Sequence, residues 1–318
     1  MDDLLEMEIE GIGTVRAYAH RIYGYRYNWH EDWEEINIVL KGRLEFVRGG
    51  EKYVLEEDDV LLVDPGIPHA SYPLDPETVA FVIHFPARIF TYHLRGNPVV
   101  SFRTVSNAEN RNGSDFRELR YLCARLAMAL GEKKSAWNSR ALVRACLGLL
   151  AETLYSRFSE PAALHGAPPI REEDRLSISR ITDYIALHYA EKLKLQDIAD
   201  RFGYNRTYIS TLFKKQLGIG FHEYLSRYRF QYAIIDLGSP EKSLLDMALD
   251  NGFPDLNTFN QMFLAAFGTY PRDYRERMRR ELEEAGLIPD LPLKRDFVSL
   301  SSALPRKKLD AYRIGESG

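Results

Sequence analysis

The feature that most constrains this chain is an internal repeat in its C-terminal third. Ile198-Ala199, Gly203-Tyr204, Ile209, Leu212-Phe213, Gly218 and Tyr224 return as Met247-Ala248, Gly252-Phe253, Phe259, Met262-Phe263, Gly268 and Tyr274, offset by 49 or 50 residues throughout. Self-similarity at one period marks a supersecondary unit used twice. In each copy an amphipathic segment closes on a glycine, a short turn follows, and a second segment places apolar residues at i, i+3 and i+4. That is the pattern of a helix-turn-helix. Residues Phe221–Leu237 between the copies read as one long helix.

When such a unit enters the major groove, its second helix buries an apolar face and turns short polar or basic groups toward base edges. In the first copy Ile209, Leu212 and Phe213 form the inward stripe, leaving Arg206, Thr207, Ser210, Thr211 and Lys214 outward. In the second, Phe259, Met262, Phe263 and Ala266 point inward, leaving Leu256, Asn257, Asn260 and Gln261 outward. Carboxamides pair bidentately with adenine, arginine pairs with guanine, and a leucine suits a thymine methyl. Lys214, Lys215, Arg227, Arg229 and the cluster Arg272, Arg275, Arg277, Arg279 and Arg280 are candidate phosphate contacts. A charge run of this kind is, taken alone, also an ordinary solvated helix face.

The net charge of −4 argues against bulk attraction to nucleic acid, but the charge is unevenly spread. Residues 1–170 carry 19 Lys and Arg against 24 Asp and Glu, whereas residues 175–280 carry 16 against 12. The duplicated region is therefore a basic unit behind an acidic one. A 45% hydrophobic content excludes collagen-like and largely disordered classes. No apolar run approaches the roughly 18 residues of a membrane helix, and the start Met1-Asp2-Asp3 is acidic where a secretory signal is basic. A cytoplasmic protein with no membrane partner is expected. The two cysteines, Cys123 and Cys146, fall in helical stretches, so no structural disulfide is expected, a redox pair being the alternative.

Residues 13–85 hold short Val, Ile, Tyr and Phe-rich runs broken every 8 to 12 residues by turn signals, as antiparallel barrels and sandwiches do. Two proline-free helical stretches follow, 115–130 and 135–158, with Leu119, Leu122, Leu126 and Leu130 on one stripe. They predict an antiparallel hairpin that either makes a dimer or packs on the β unit. The overall expectation is an α+β multidomain chain: a β-barrel over 1–105, a helical dimerisation hairpin over 106–160, a Pro-containing linker over 161–174, an all-α double helix-turn-helix domain over 175–280, and a tail over 281–318 without an assigned role.

Two resemblances sharpen this. Leu195-Gln196-Asp197-Ile198-Ala199, Tyr208-Ile209-Ser210-Thr211-Leu212-Phe213-Lys214-Lys215 with Gly218, Tyr224-Leu225 with Arg229 and Ala233, and Tyr270-Pro271-Arg272-Asp273-Tyr274-Arg275 make residues 175–280 similar to the DNA-binding domain of the AraC/XylS regulators. That resemblance implies the same base-facing positions as the facial argument, although Thr211 stands where such regulators often have an arginine. Asn28-Trp29-His30 through Glu35 and Gly42, and Pro65-Gly66-Ile67-Pro68-His69, are similar to the two cupin motifs. Metal-binding cupins use two histidines, a glutamate and a third histidine, which fall on Asn28, His30, Glu35 and His69. With asparagine at the first position, the implied pocket is one without a metal or other cofactor.

Regulators of this type commonly hold a small effector in such a barrel. Tyr25, Tyr27, Trp29 and Trp33 offer flat faces, and Asn28, His30, Glu35, His69 and His84 offer hydrogen bonds, a mixture suited to a carbohydrate-like ligand. The resemblance implies a non-enzymatic transcription regulator with double-stranded DNA, an effector, a second copy of itself and RNA polymerase as partners. Two alternatives stay open: a metal-dependent cupin enzyme fused to a DNA-binding domain, and a constitutive DNA-binding protein whose barrel is only structural.

Overall fold

The computed structural model describes residues 4–22, 26–28, 30–75, 77–93, 100–102, 104–132, 136–161, 172–237, 241–284 and 297–314. Its N-terminal part runs β1 (Leu4–Ile9), β2 (Gly13–Arg21), β3 (Arg26–Asn28), β4 (Trp33–Lys41), β5 (Leu44–Arg48), β6 (Glu51–Leu55), β7 (Val60–Val63), β8 (His69–Pro73), β9 (Val79–Pro86), α1 (Arg88–His93) and β10 (Val100–Phe102). Next come α2 (Ser114–Gly131), α3 (Ala136–Phe158) and β11 (Ser159–Pro161). The repeat region contributes α4 (Glu172–His188), α5 (Leu195–Phe202), α6 (Arg206–Leu217), α7 (Phe221–Leu237), α8 (Leu244–Asp250), α9 (Leu256–Phe267) and α10 (Pro271–Glu284), and the tail β12 (Phe297–Val298) and α11 (Ala303–Ile314).

Two antiparallel sheets face each other, one ordered β1-β2-β9-β4-β7 with β12 added to β2, the other β3-β8-β5-β6. Between them lie Val39, Leu44, Phe46, Leu55, Leu61, Val63 and Ala80. The larger sheet is also covered on its back, where Ile36, Ile38, Leu62, Phe81 and Ile83 meet residues of α2 and α3 in one cluster. A strand buried on both faces must be apolar nearly throughout, which is why β7 reads Val-Leu-Leu-Val without alternation. The stripe Leu119, Leu122, Leu126 and Leu130 belongs to that cluster. Burial of each such leucine stabilises by about 1.5–3 kcal/mol. That stripe is thus buried inside the chain, while Tyr121, Met128 and Leu149 of the same two helices stay exposed. Cys123 and Cys146 are buried free thiols in the same helices, and burial pushes both upward in pKa.

The repeat is now visible in three dimensions. Asn205 and Asp255 cap α6 and α9, each side chain accepting the backbone N–H three residues on. Gly203 ends α5, and Gly218 and Gly268 end α6 and α9, all at positive φ. Each copy has its own core, and α7 serves both: Phe221, Tyr224 and Leu225 in the first, Phe230, Ala233, Ile234 and Leu237 in the second. Helix α4 begins at Glu172, earlier than expected, and most of the Pro-containing linker lies outside the described residues.

Within the unassigned tail, residues 297–314 form defined elements. β12 pairs with β2, and Leu300, Leu309 and Tyr312 join the core behind the larger sheet. It meets an unusual turn: Asp58 has φ +69 and is the one non-glycine residue at positive φ among those described. That conformation costs about 1–2 kcal/mol for an L-residue.

The repeat domain docks on the outer face of the smaller sheet. Val47 and Ala70, cross-strand partners on β5 and β8, lie in the first repeat's core, and Tyr72 packs against both repeats. Arg227 reaches Glu45 at 2.7 Å and lies over the Tyr72 ring at 4.6 Å. The β5–β6 turn and the end of α6 meet through glycines. A Cβ on Gly50 would fall 2.5 Å from the Lys215 carbonyl oxygen, and one on Gly218 would fall 2.6 Å from the Gly50 carbonyl oxygen. Gly268 has the same φ but nothing within 4 Å. Gly268→Ala should therefore lose about 1 kcal/mol from backbone strain alone. Gly218→Ala should lose more and also loosen the docking, which chemical denaturation and hydrogen exchange across β5 and β8 would read; equal effects would refute the docking contact.

Candidate nucleic-acid interface and ligand pocket

Capping and packing decide which faces α6 and α9 present. With Ile209, Leu212, Phe213, Gln216 and Leu217 buried, Arg206, Thr207, Thr211, Lys214 and Lys215 are exposed and Ser210 is half-buried. On α9, with Phe259, Phe263, Ala266 and Phe267 buried, Asn257 and Gln261 are exposed and Asn260 is half-buried. The Asn260 amide oxygen is shielded from solvent and has no hydrogen-bond partner. Leu256 departs from its expected outward position and packs partly against the second core. Exposed Thr258, at the same turn, was missed because its place in the repeat corresponds to Tyr208.

The arginines separate into two groups. Arg272 is exposed, paired along its own helix with Glu276 at 3.2 Å. Arg275, expected on phosphate, instead donates to the Leu237 and Lys242 carbonyl oxygens at 3.1 and 2.9 Å. Arg229 does the equivalent in the first copy, donating to the Tyr189 and Glu191 carbonyl oxygens at 2.7 and 2.6 Å. Each fastens the preceding helix end to its own repeat, and burial lowers the pKa of both. Arg227 is committed to Glu45 and Glu223. A charge count does not distinguish these roles, since they depend on where carbonyls lacking helical partners lie. Arg272→Ala should lower the salt slope of DNA binding by about one. Arg275→Ala should leave that slope unchanged and lower the unfolding midpoint, a hydrogen bond to a charged group being worth about 1.5–3 kcal/mol.

In the barrel, Glu35 is the centre. His84 Nε2 lies 2.6 Å from its Oε2, His30 Nε2 and His69 Nε2 each 3.3 Å, and Asn37 donates to Oε1 at 2.8 Å. Burial by itself would raise the Glu35 carboxyl, but the His69 charge and the three imidazole contacts outweigh it and hold it well below the usual carboxylate range. His69 is oriented by its Nδ1 contact with the Ile67 carbonyl oxygen at 3.0 Å and by stacking on Phe46. Burial by itself would lower the His69 imidazole; the Glu35 charge and the hydrogen bonds to it outweigh this and raise its pKa.

Trp33 lies edge-on to His84, as does Tyr18. Tyr18 and His20 were absent from the sequence-based set, and the alternating burial of β2 is the signal that puts them on the pocket side. Burial pushes His20 down to about 4, partly countered by Glu35. Tyr25 and Trp29 lie outside the described residues. Tyr27 and Asn28 are placed by their backbone in β3, opposite Ala70 and His69.

Loss of the first cupin histidine has not dispersed the other three positions. One donor atom each from His30, Glu35 and His69 lie within 4.8 Å of one another, and buried His30 Nδ1 makes no hydrogen bond. Two imidazoles and a carboxylate fit a divalent transition metal ion with an open position for a further ligand. Addition of zinc or nickel should raise the thermal midpoint of the wild-type chain through mass action, and the shift should vanish in the His30→Ala/His69→Ala variant.

Comparison with known proteins agrees with this two-part layout. A helix-turn-helix domain model matches residues 198–277 and a cupin domain model matches residues 24–85. An HTH-type transcriptional regulator of Staphylococcus aureus (strain COL) is 24% identical over 253 residues, 77% of this chain and 32% of that protein. The chain thus matches about a third of the length of that relative. The HTH-type transcriptional regulator YdiP of Escherichia coli K12 is 25% identical over 274 residues, 83% of this chain and 85% of that protein. Among solved structures, ToxT of Vibrio cholerae covers 82% of this chain over 97% of its own, at 12% identity and a TM-score of 0.40. No helix among the described residues is long and apolar enough to cross a membrane.

Proposed function

We propose that this chain, which resembles the AraC/XylS regulators, reads double-stranded DNA through α6 and α9 and governs transcription in response to a small molecule held in its barrel. One observation carries the reading: two helices, each capped and backed by its own core and joined by α7, expose polar side chains at equivalent positions, Thr207 and Thr211 on α6 and Asn257 and Gln261 on α9, with basic residues beside them on α6. Two such heads on one face of a duplex fit successive major grooves, roughly 34 Å apart. Arg206, Asn257, Asn260 and Gln261 would contact bases, with Thr207, Ser210 and Thr211 beside them, and Lys214, Lys215 and Arg272 would contact phosphates.

The effector is a polyhydroxylated small molecule seated against Trp33 and Tyr18 and bonded to the imidazoles around Glu35. In this reading the barrel binds and does not turn over its ligand. A second copy would dock through the exposed apolar residues of α2 and α3, giving a dimer with two pairs of heads. The donor set of His30, Glu35 and His69 also favours a second reading, a metal-dependent cupin enzyme; a metal ion bound there would polarise a ligand oxygen as a Lewis acid.

Replacement of Arg206, Asn260 and Gln261 by alanine tests the DNA reading. On a duplex selected from genomic fragments bound by the wild-type chain, each lost base contact should cost about 1–3 kcal/mol, while binding to random DNA changes little. Unchanged promoter occupancy would overturn the assignment. A thermal-shift screen against sugars and small acids tests the pocket. Stabilisation by a sugar that disappears in Glu35→Ala supports it; ligand turnover without any effect on DNA occupancy would favour the enzyme.

A further inference from the structure

The C-terminal segment is the least expected part of the molecule. It belongs structurally to the N-terminal domain, although the whole DNA-reading domain lies between them in sequence. β12 takes up the edge of β2 where β1 stops: β1 pairs with Gly13 to Tyr18, and Val298 and Phe297 pair with Ala19 and His20. Phe297 lies edge-on to Tyr18, 5.2 Å between ring centroids, and Tyr18 in turn meets His20 and His84 at the pocket. α11 lies along α2, with Leu309 and Tyr312 buried in the shared core.

The receiving surface is shaped for this segment. Asp58, held in its left-handed conformation, accepts hydrogen bonds from Lys308 Nζ at 3.0 Å and Tyr312 Oη at 2.5 Å. Lys308 also meets Glu57 at 2.6 Å. Arg120 donates to the Asp58 carbonyl oxygen at 2.9 Å and lies over the Tyr312 ring at 5.6 Å. Lys308 and Asp58 are both buried, and a buried charge without its partner is strongly unfavourable. A chain lacking the tail would leave the Asp58 carboxylate without its two side-chain donors.

We propose that residues 297–314 are a strap, docked on the sensor, that holds the DNA-reading domain by its far end and keeps it seated on β5 and β8. The covalent arithmetic supports this. Glu284 and Phe297 are separated by 12 residues, which at about 3.3–3.6 Å per residue bounds their distance at roughly 45 Å. A domain tethered at both ends meets its docking face at a higher effective concentration than one tethered at a single end. The contact between Arg227 and Glu45 on the smaller sheet is then reinforced by an anchor on the larger one. The inference rests on the fold and stands whatever the reading domain binds.

The test uses the full chain with a specific protease site placed within residues 285–296, so that the strap is cut after folding. Labels on Glu109→Cys and Lys192→Cys, both at exposed positions, report the sensor–reader distance; the two native thiols are buried. After cleavage, fragment 297–318 should stay with the body through gel filtration at micromolar concentration, and the distance distribution should broaden. Fragment retention should weaken at least tenfold in the Lys308→Met/Tyr312→Phe variant. The cut wild-type chain needs none of these strap substitutions, so a variant that fails to fold does not decide the matter. Loss of the fragment from the cut wild-type body would overturn the proposal. An unchanged distance distribution after cutting would do so as well.

Discussion

Strands β5 and β8 are covered on both faces, and by different parts of the molecule. Their inner face carries His69 and Phe46 beside Glu35. Their outer face carries Glu45, Val47, Ala70 and Tyr72 against the repeat domain. His69 and Ala70 are consecutive residues whose side chains point to opposite sides of one strand, as the two-residue strand period requires. The Glu35 pocket and the seat of the repeat domain are therefore separated by a single layer of backbone. In close-packed material, a displacement on one face of such a layer is felt on the other.

The repeat domain depends on a second economy. Its copies do not share a core, yet α7 contributes to both, so the relative placement of the heads is set by one helix. Arg229 and Arg275 repeat the same fastening, each donating to carbonyl oxygens at the end of the helix that precedes its copy. What looks like positive charge for phosphate is, at these two positions, internal bracing. The basic character of the domain's outer surface comes instead from exposed residues such as Arg206, Lys214, Lys215, Arg272, Arg279 and Arg280.

Much of this was legible because it follows from local periodicity. The 49-to-50-residue offset placed both helix pairs, and Gly203, Gly218 and Gly268 took the positive φ that ends a helix. His30, Glu35 and His69, which the cupin resemblance put at three motif positions, each bring one donor atom within 4.8 Å of the others. Tyr18 and His20 went unnoticed because a nine-residue strand with half its positions polar looks like any barrel wall. The leucine stripe of α2 was visible, but its partner was not, since a stripe records that a face is buried and not against what. The tail was illegible for a related reason: Lys308 and Tyr312 find Asp58 about 250 residues away in sequence, a separation no local pattern encodes.

The sequence by itself determined the elements and their faces: two capped helix pairs with polar outer sides and a barrel of alternating strands. These depend on period, capping and turn chemistry, which act within a few residues. Only the tertiary structure decided the uses of those faces: that α2 covers the sheet, that Arg275 holds carbonyls, that Gly50 and Gly218 abut, and that the last helix returns to the first domain. Those outcomes depend on which buried charges and apolar surfaces find one another across the whole chain, a competition settled by desolvation and packing between segments distant in sequence.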